Sequence, residues 1–181
     1  MTSHDVVFVG SPFKEREEWF NAIDWTGIDL GLYGGWDKRR LSRKVATCVR
    51  DGYIDNTHAA KLYRSAKVGL NLYRTSKGFN RDNRYIVSAD SLNPRAYELA
   101  ACGVFHLSDP RPEVSEVFGD LVPTFRTPGE AAALIRRWLD DPAGRQRVAA
   151  QLPARVAEET WLHRAATVLG DLHALICQRA A

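Results

Sequence analysis

The sequence predicts an α/β fold: a Rossmann-like parallel sheet with helices on both faces and extra helices at the C-terminus. Short apolar runs typical of buried strands alternate with segments whose apolar residues recur at helical spacing. This alternation is characteristic of βαβ units. The chain has 181 residues, 45% of them hydrophobic, which suffices for a sizeable core, and no linker divides it. We therefore predict a single domain over residues 1–181.

In the first half, apolar β-branched or alternating runs followed by Gly, Pro or polar residues predict strands, and apolar residues three or four apart predict helices. In chain order these elements are a strand at 6–9, a helix at 15–23, a strand at 28–33, a short strand at Tyr53-Ile54, a helix capped by Asn56, and a strand at 67–73.

The second half begins with a helix that carries both of its end signals. Asn93 is a good N-cap, Pro94 suits the first helical position, and Gly103 ends the helix. Further elements are a strand after Gly103, a helix at 112–118, a strand at 121–125, a helix at 127–139 with a capping box, and helical patterns at 144–159 and 160–177, whose Trp and Leu residues are predicted to lie in the core.

Residues 74–92 interrupt this alternation, with few apolar side chains and the cations Lys77, Arg81 and Arg84. A segment of this length without regular structure is uncommon in a compact domain unless it is a functional loop. Two interpretations stay open: a lid that closes on a phosphate, or an ordinary solvated loop.

The helix start at Asn93 is suited to binding an anion. Free backbone N–H groups and the helix dipole both favour a phosphate there. Arg95 lies in the first turn, where a cation opposes the dipole, so it fits a bound anion better than it fits the helix. Glu98 follows one turn later, and its carboxylate can accept two vicinal ribose hydroxyls.

Composition and charge exclude several classes of protein. The net charge of +3 is small, and the basic residues form no stripe with interleaved aromatics, so there is no strong nucleic-acid signal. The three cysteines lack disulfide or metal-ligand spacing. No apolar run reaches the roughly 18 residues of a membrane span, and no secretory leader is recognisable. We expect a reduced, cytoplasmic protein.

The motif N-x-R-x-Y-E-x-x-A-C-G at 93–103, followed by an apolar strand and D-P-R-P-E at 109–113, resembles the C-terminal half of GT-B glycosyltransferases. The CgeB/YkvP-like group, related to the glycosyl transferases group 1 family, is the most similar type. The segments V-G-S-P-F at 9–13 and L-Y-R-S-A-K-V-G-L-N-L at 62–72 agree in order. The resemblance extends over about residues 6–172.

This resemblance implies a nucleoside-diphosphate sugar, such as a UDP-sugar, as the donor substrate. GT-B enzymes have two Rossmann-like domains, and the C-terminal one usually binds the donor. The chain resembles that donor domain alone, so the acceptor is unknown, and a partner chain or a second copy would complete the cleft. GT-B enzymes generally need no bound metal, and no D-x-D motif is present, so no cofactor is expected.

The resemblance also assigns catalytic residues. Related retaining enzymes carry an E-x7-E motif whose second Glu binds the ribose and whose first contacts the sugar. Glu98 matches the second position and Asp90 stands at the first. Asp90 is one methylene shorter than the Glu of the motif. The resemblance therefore implies transfer of the sugar with retention.

A second group of residues is predicted to hold the donor. Lys14 and Arg16 match the place where such enzymes neutralise the diphosphate, together with Arg95 and the helix start at Asn93. Asn71 ends a strand at the same side of the sheet. The alternative for Lys14 and Arg16 is a solvated helix face, because acidic residues surround them.

Two other functions remain open at this point. One is a non-catalytic module that binds a nucleotide or nucleotide-sugar. The other is an interaction protein that keeps the fold with a degenerate site. The variant Glu98→Ala distinguishes these possibilities. It should abolish ligand binding in the glycosyltransferase and in the binding module, and it should matter little in the interaction protein.

Overall fold

The structure is a computed structural model of the 181-residue chain. It describes residues 3–50, 52–74 and 90–180, and the side chains of 179 and 180 are left out. Four strands and nine helices lie in these ranges. The strands are β1 (Val6–Val9), β2 (Leu30–Tyr33), β3 (Val68–Asn71) and β4 (His106–Ser108); the helices are α1 (Lys14–Ala22), α2 (Arg43–Ala46), α3 (Asn56–Ser65), α4 (Pro94–Ala101), α5 (Pro112–Phe118), α6 (Pro128–Leu139), α7 (Pro142–Ala149), α8 (Leu152–Arg155) and α9 (Trp161–Ala180).

All four strands are parallel, in the order β2-β1-β3-β4. Single parallel bridges, Leu32 to Val49 and Ser108 to Thr124, extend the two edges. With these bridges counted, the sheet runs third, second, first, fourth, fifth, sixth in chain order, which is the doubly wound arrangement of dinucleotide-binding folds. The connections leave β1 in opposite directions, so the topological switch point lies between β1 and β3. The predicted fold class is confirmed.

Helices cover both faces of the sheet because alternate strand residues point to opposite sides. Val6 and Phe8 belong to the core under α1 and α6, whereas Val7 packs with residues of α3 and α4. Phe8 lies in an aromatic cluster, 5.0 Å from Phe20 and 5.8 Å from Trp36 between ring centroids. A further apolar cluster joins α4, α5 and α8.

The predicted helix ends at α4 are confirmed. The Asn93 Oδ1 accepts the Ala96 N–H at 3.0 Å, and Pro94 is the first helical residue. Gly103 follows the C-cap with φ +63°, a left-handed conformation that other residues adopt at a cost. At α6, the Thr127 Oγ1 accepts the Glu130 N–H at 3.1 Å, as the capping box predicts.

Two predicted strands at the sheet edges and one predicted helix cap were wrong. Tyr53 and Ile54 form no strand; Tyr53 is 88% exposed, and Val49 makes the edge bridge instead. Residues 121–125 contribute only the bridge at Thr124, after a 3-10 turn at Gly119–Leu121. The N-cap of α3 is Asp55, whose Oδ1 accepts the His58 N–H at 2.7 Å, rather than Asn56. Local patterns fail at the two sheet edges because edge segments pair on one side only.

The predictions for the C-terminal helices, at 144–159 and 160–177, were also wrong in part. The pattern at 144–159 divides into α7 and α8, and α9 is one long helix whose apolar residues are not in the core. Every residue of 161–178 is exposed. Helical periodicity identifies an apolar face but not what packs against it. None of the described helices is long and apolar enough to cross a membrane.

Candidate functional site

A cleft of about 510 Å³ opens at the carboxyl ends of β1 and β3, where the switch point lies. Open α/β sheets bind ligands at this position. We call it the switch-point cleft. Its walls come from the loop after β1 with α1, from the start of α3, and from the start of α4; they include Val9, Arg16, Ile54, Asn56, Ala59, Tyr63, Asn93, Arg95 and Glu98.

Arg95 is fixed at the base of this cleft by neutral acceptors. Its Nε donates to the Val9 carbonyl at 2.6 Å and its Nη1 to the Asn71 Oδ1 at 3.3 Å. The guanidinium carbon lies 4.4 Å from the centre of the Phe8 ring. The buried Tyr63 hydroxyl lies beside it, and burial raises the pKa of Tyr63 to about 12. A side chain at Gly10 would collide with this guanidinium.

Arg16 approaches the same place from α1. It is only 5% exposed. Its Nε donates to the Leu72 carbonyl at 3.1 Å and its Nη1 to the Ser11 carbonyl at 3.1 Å. Lys14 points elsewhere: its side chain is 84% exposed and its Nζ lies 4.0 Å from Glu18. The two cations that the sequence grouped together thus lie in different environments.

The two arginines make the cleft electropositive. Burial, and then the charge of Arg95, lower the pKa of Arg16 to about 10, and burial lowers the pKa of Arg95. Within the described ranges, no carboxylate lies within ion-pair distance of either guanidinium. Desolvating a charge without a partner is unfavourable, so an anion bound here would offset that cost.

Asn71 supports the cleft from beneath. It is fully buried, and its Oδ1 accepts from the Asn93 Nδ2 at 3.0 Å and from Arg95. Its Nδ2 donates to the Ser108 Oγ at 3.3 Å. The side chain therefore links β3, β4 and the start of α4. Because Asn71 is fully buried beneath the cleft and is hydrogen-bonded to three neighbouring side chains, it holds other residues in place and does not itself line the cleft.

The two predicted catalytic carboxylates are placed differently. Glu98 is exposed and borders the switch-point cleft, one turn into α4. It also borders a smaller pocket of about 140 Å³ with Tyr97, Trp161 and Arg164. Asp90 is exposed and is not among the described residues that line the cleft. Lys77, Arg81 and Arg84 lie outside the described residues.

Sequence reasoning missed Asp109 and Tyr63. Asp109 directly follows β4, and its Oδ1 accepts the Tyr73 N–H at 2.9 Å. Burial raises the pKa of Asp109 to about 6, although the Tyr73 N–H and Arg111 oppose the shift. Its position after an apolar strand was a usable signal. Tyr63 gave none, because it continues the apolar stripe of α3.

Within the described part of the chain, no cluster of three or more His, Cys, Asp or Glu residues is arranged to hold a metal ion.

A parallel doubly wound sheet with an electropositive cleft at its switch point defines a Rossmann-like domain of the kind that forms one half of GT-B glycosyltransferases. The chain belongs to the glycosyl transferase-like family, whose model matches residues 14–170. Among curated proteins, none matches this chain.

Solved structures that share the fold include the following two. Sucrose-phosphate synthase from Thermosynechococcus elongatus has a TM-score of 0.66 and 18% identity, covering 97% of this chain and 46% of that one. AviGT4, a glycosyltransferase involved in avilamycin A biosynthesis, has a TM-score of 0.55 and 20% identity, covering 85% of this chain and 47% of that one. The chain therefore spans about half the length of each.

Proposed function

We propose that this chain is the donor-binding part of a GT-B type glycosyltransferase and that the switch-point cleft binds a nucleoside-diphosphate sugar. The observation that carries the proposal is the pair Arg16 and Arg95. Both guanidiniums are held at the carboxyl ends of β1 and β3 without a carboxylate in ion-pair distance among the described residues. A diphosphate is the anion that two adjacent cations and a helix start suit best.

In this proposal each residue has a distinct role. Arg16, Arg95 and the free N–H groups after Asn93 bind the diphosphate, and Glu98 accepts the ribose hydroxyls. Asn71 positions Arg95 and Asn93 through its Oδ1. Asp90, in the segment that joins β3 to α4, approaches the sugar. Lys14, which is largely exposed, contributes only long-range charge.

The chemistry follows from these positions. In the transfer, the bond between the anomeric carbon and the diphosphate oxygen breaks, and the nucleoside diphosphate leaves with the electron pair. An acceptor hydroxyl forms the new bond to the anomeric carbon, and its proton passes to the departing diphosphate oxygen. Preorganised cations and N–H groups stabilise the negative charge that develops on the leaving group. We propose that the acceptor is held by a partner, and that the sugar keeps its anomeric configuration.

A thermal-shift screen against UDP, GDP, ADP, TDP and their common sugar conjugates tests the proposal. A ligand at about a hundred times its dissociation constant stabilises the folded state by about 2.7 kcal/mol, which is a shift of several degrees. Glu98→Ala should weaken binding of the best ligand at least about tenfold. The matched control is Glu116→Ala, since Glu116 is exposed on α5, away from the cleft, and should bind as the wild type does. A flat screen with folded protein contradicts the proposal.

A non-catalytic nucleotide-sugar binding module is the second candidate. It is favoured by one observation: Asp90, the residue at the sugar-contacting position, is exposed and is not among the described residues that line the switch-point cleft. Sugar transfer by the chain, alone or with an added acceptor-binding partner, distinguishes the enzyme from this module.

A further inference from the structure

The C-terminal helix α9 packs against almost nothing. All of its residues from 161 to 178 are exposed. Its described side-chain contacts with the preceding chain are made by Arg164, which lies 4.9 Å from the centre of the Tyr97 ring and 2.9 Å from Glu159, and by His163, whose Nδ1 lies 2.7 Å from the Thr160 Oγ1. Helices in water draw most of their stability from the packing of an apolar face, so a 20-residue helix of this kind needs a covering surface.

One face of α9 is apolar from Trp161 to Ile176. Leu162, Ala165, Leu169, Leu172 and Ile176 follow the alternating spacing of three and four residues at which helices pair. Large side chains flank this line and widen the face. Together, the exposed large side chains are Trp161, Leu162, Val168, Leu169, Leu172, Leu175 and Ile176.

The size of this face matches that of a protein interface. Each of these seven side chains is at least 50% exposed. Together they present on the order of 800 Å² of apolar surface, which is about what one partner of a standard interface buries. The largest apolar patch of a typical monomer is smaller, roughly 300–600 Å². Exposure in water is therefore not the expected resting state of this surface.

The charges identify a suitable occupant. Between Trp161 and Ile176 the apolar face contains no charged residue, so two copies can meet over this stretch without like-charge repulsion. Arg164 and Asp171 lie along one flank and carry opposite charges. In an antiparallel pair with Leu162 facing Leu172 of the second copy, Arg164 approaches Asp171 of the second copy. Ala165 lies within this contact and lets the two backbones come close.

We propose that a second copy of this chain covers the apolar face of α9, with the two α9 helices packed antiparallel about a two-fold axis. Trp161 and Arg164 also border the small pocket beside Glu98, so the second copy lies next to the rim of the switch-point cleft. The pairing does not depend on which ligand, if any, the cleft binds.

Sedimentation equilibrium of the purified chain between about 1 and 100 μM tests this pairing. The expected mass is twice the 20.3 kDa of one chain. The double variant Leu169→Glu/Leu172→Glu should sediment as one chain, because each copy then places two carboxylates in the contact. The matched control Thr167→Glu/Ala174→Glu adds the same charge on the opposite face of α9 and should keep the double mass.

Each other outcome overturns the proposal. A wild-type mass of 20.3 kDa throughout this range means that something other than a second copy covers α9. A double mass in Leu169→Glu/Leu172→Glu places the contact elsewhere, and a mass above two copies rules out a closed pair. Circular dichroism checks that the variants fold; if the Glu variant does not, Leu169→Ala/Leu172→Ala should still raise the dimer dissociation constant at least about tenfold.

Discussion

The carbonyl of Leu72 accepts hydrogen bonds from two arginines: the Arg16 Nε lies 3.1 Å from it and the Arg95 Nη1 lies 3.5 Å from it. Leu72 directly follows β3, so one backbone oxygen brings together cations from α1 and α4. Sharing an acceptor holds two like charges close, which is unfavourable unless an anion joins them. This arrangement leads to the first prediction.

Replacing Arg95 with Met should weaken UDP binding by about 10- to 100-fold, the range for one hydrogen bond to a charged group. Lys14→Met should change the affinity less than about threefold, because its side chain is 84% exposed. Isothermal titration calorimetry measures both, with thermal unfolding as the check on folding. Equal losses for the two variants would mean that the net positive charge of the region, rather than the fixed guanidinium, binds the nucleotide.

Asn93 has two separable roles, and two substitutions distinguish them. Asn93→Ala removes the cap of α4 and should lower the free energy of unfolding by about 1 kcal/mol. Asn93→Asp keeps the cap but loses the Nδ2 donor to Asn71 and places a negative charge where the diphosphate is proposed to bind. It should be close to the wild type in stability, yet weaken UDP binding more than Asn93→Ala does. Urea unfolding and calorimetry on both variants test this, and equal affinities would contradict it.

Asp109 makes stability fall as the pH rises. Burial raises its pKa from 3.8 to about 6 in the folded protein, so the folded state holds a proton that the unfolded state has lost between these values. Asp109→Asn removes this dependence. The unfolding free energy of the variant, minus that of the wild type, should increase from pH 4 to pH 7, by at most about 3 kcal/mol. The exposed Asp120→Asn is the control, and a difference that stays level across this range would show an ordinary carboxyl at Asp109.

His106 has the opposite effect on the pH dependence of stability: it makes the protein less stable as the pH falls. It is fully buried in β4, and its Nε2 has no hydrogen-bond partner among the described residues. Burial lowers its pKa from 6.5 to about 4, so the unfolded state takes up a proton first as the pH falls, and stability is lost between these values. His106→Leu should gain stability relative to the wild type from pH 7 to pH 4, by up to about 3 kcal/mol. If the difference in unfolding free energy between His106→Leu and the wild type does not increase as the pH falls, the prediction is contradicted.

The central elements could be predicted from the sequence because their signals are local. The strand β1 and the caps of α4 each depend on residues adjacent in the chain, and they are where the sequence indicated. Arg16 is a residue whose environment local sequence patterns did not predict. Glu15, Glu17 and Glu18 surround it and suggest a solvated face, yet Arg16 and Glu17 are both buried. Which side of a helix meets the sheet depends on tertiary packing, which a charge pattern does not report.

Two further features could not be predicted from local sequence patterns. The outer strands are reduced to bridges at Val49 and Thr124, too short to give any periodicity. The face of α9 gave a clear helical pattern, but the sequence did not indicate that its covering surface is absent from the described chain. In the cleft, the motif around Arg95 and Glu98 was visible, whereas the supporting contacts of Asn71 and Tyr63 join residues distant in sequence.

The hydrogen bond from Arg95 to the Val9 carbonyl has one more consequence. Val9 ends β1, so the guanidinium is attached to an inner strand of the sheet, and its orientation is fixed by that strand. A ligand that binds it does not have to order a long, mobile side chain. Immobilising such a side chain typically costs about 0.5–1.5 kcal/mol. The folding of the sheet has already met that entropic cost, so the cleft is preorganised before any ligand arrives.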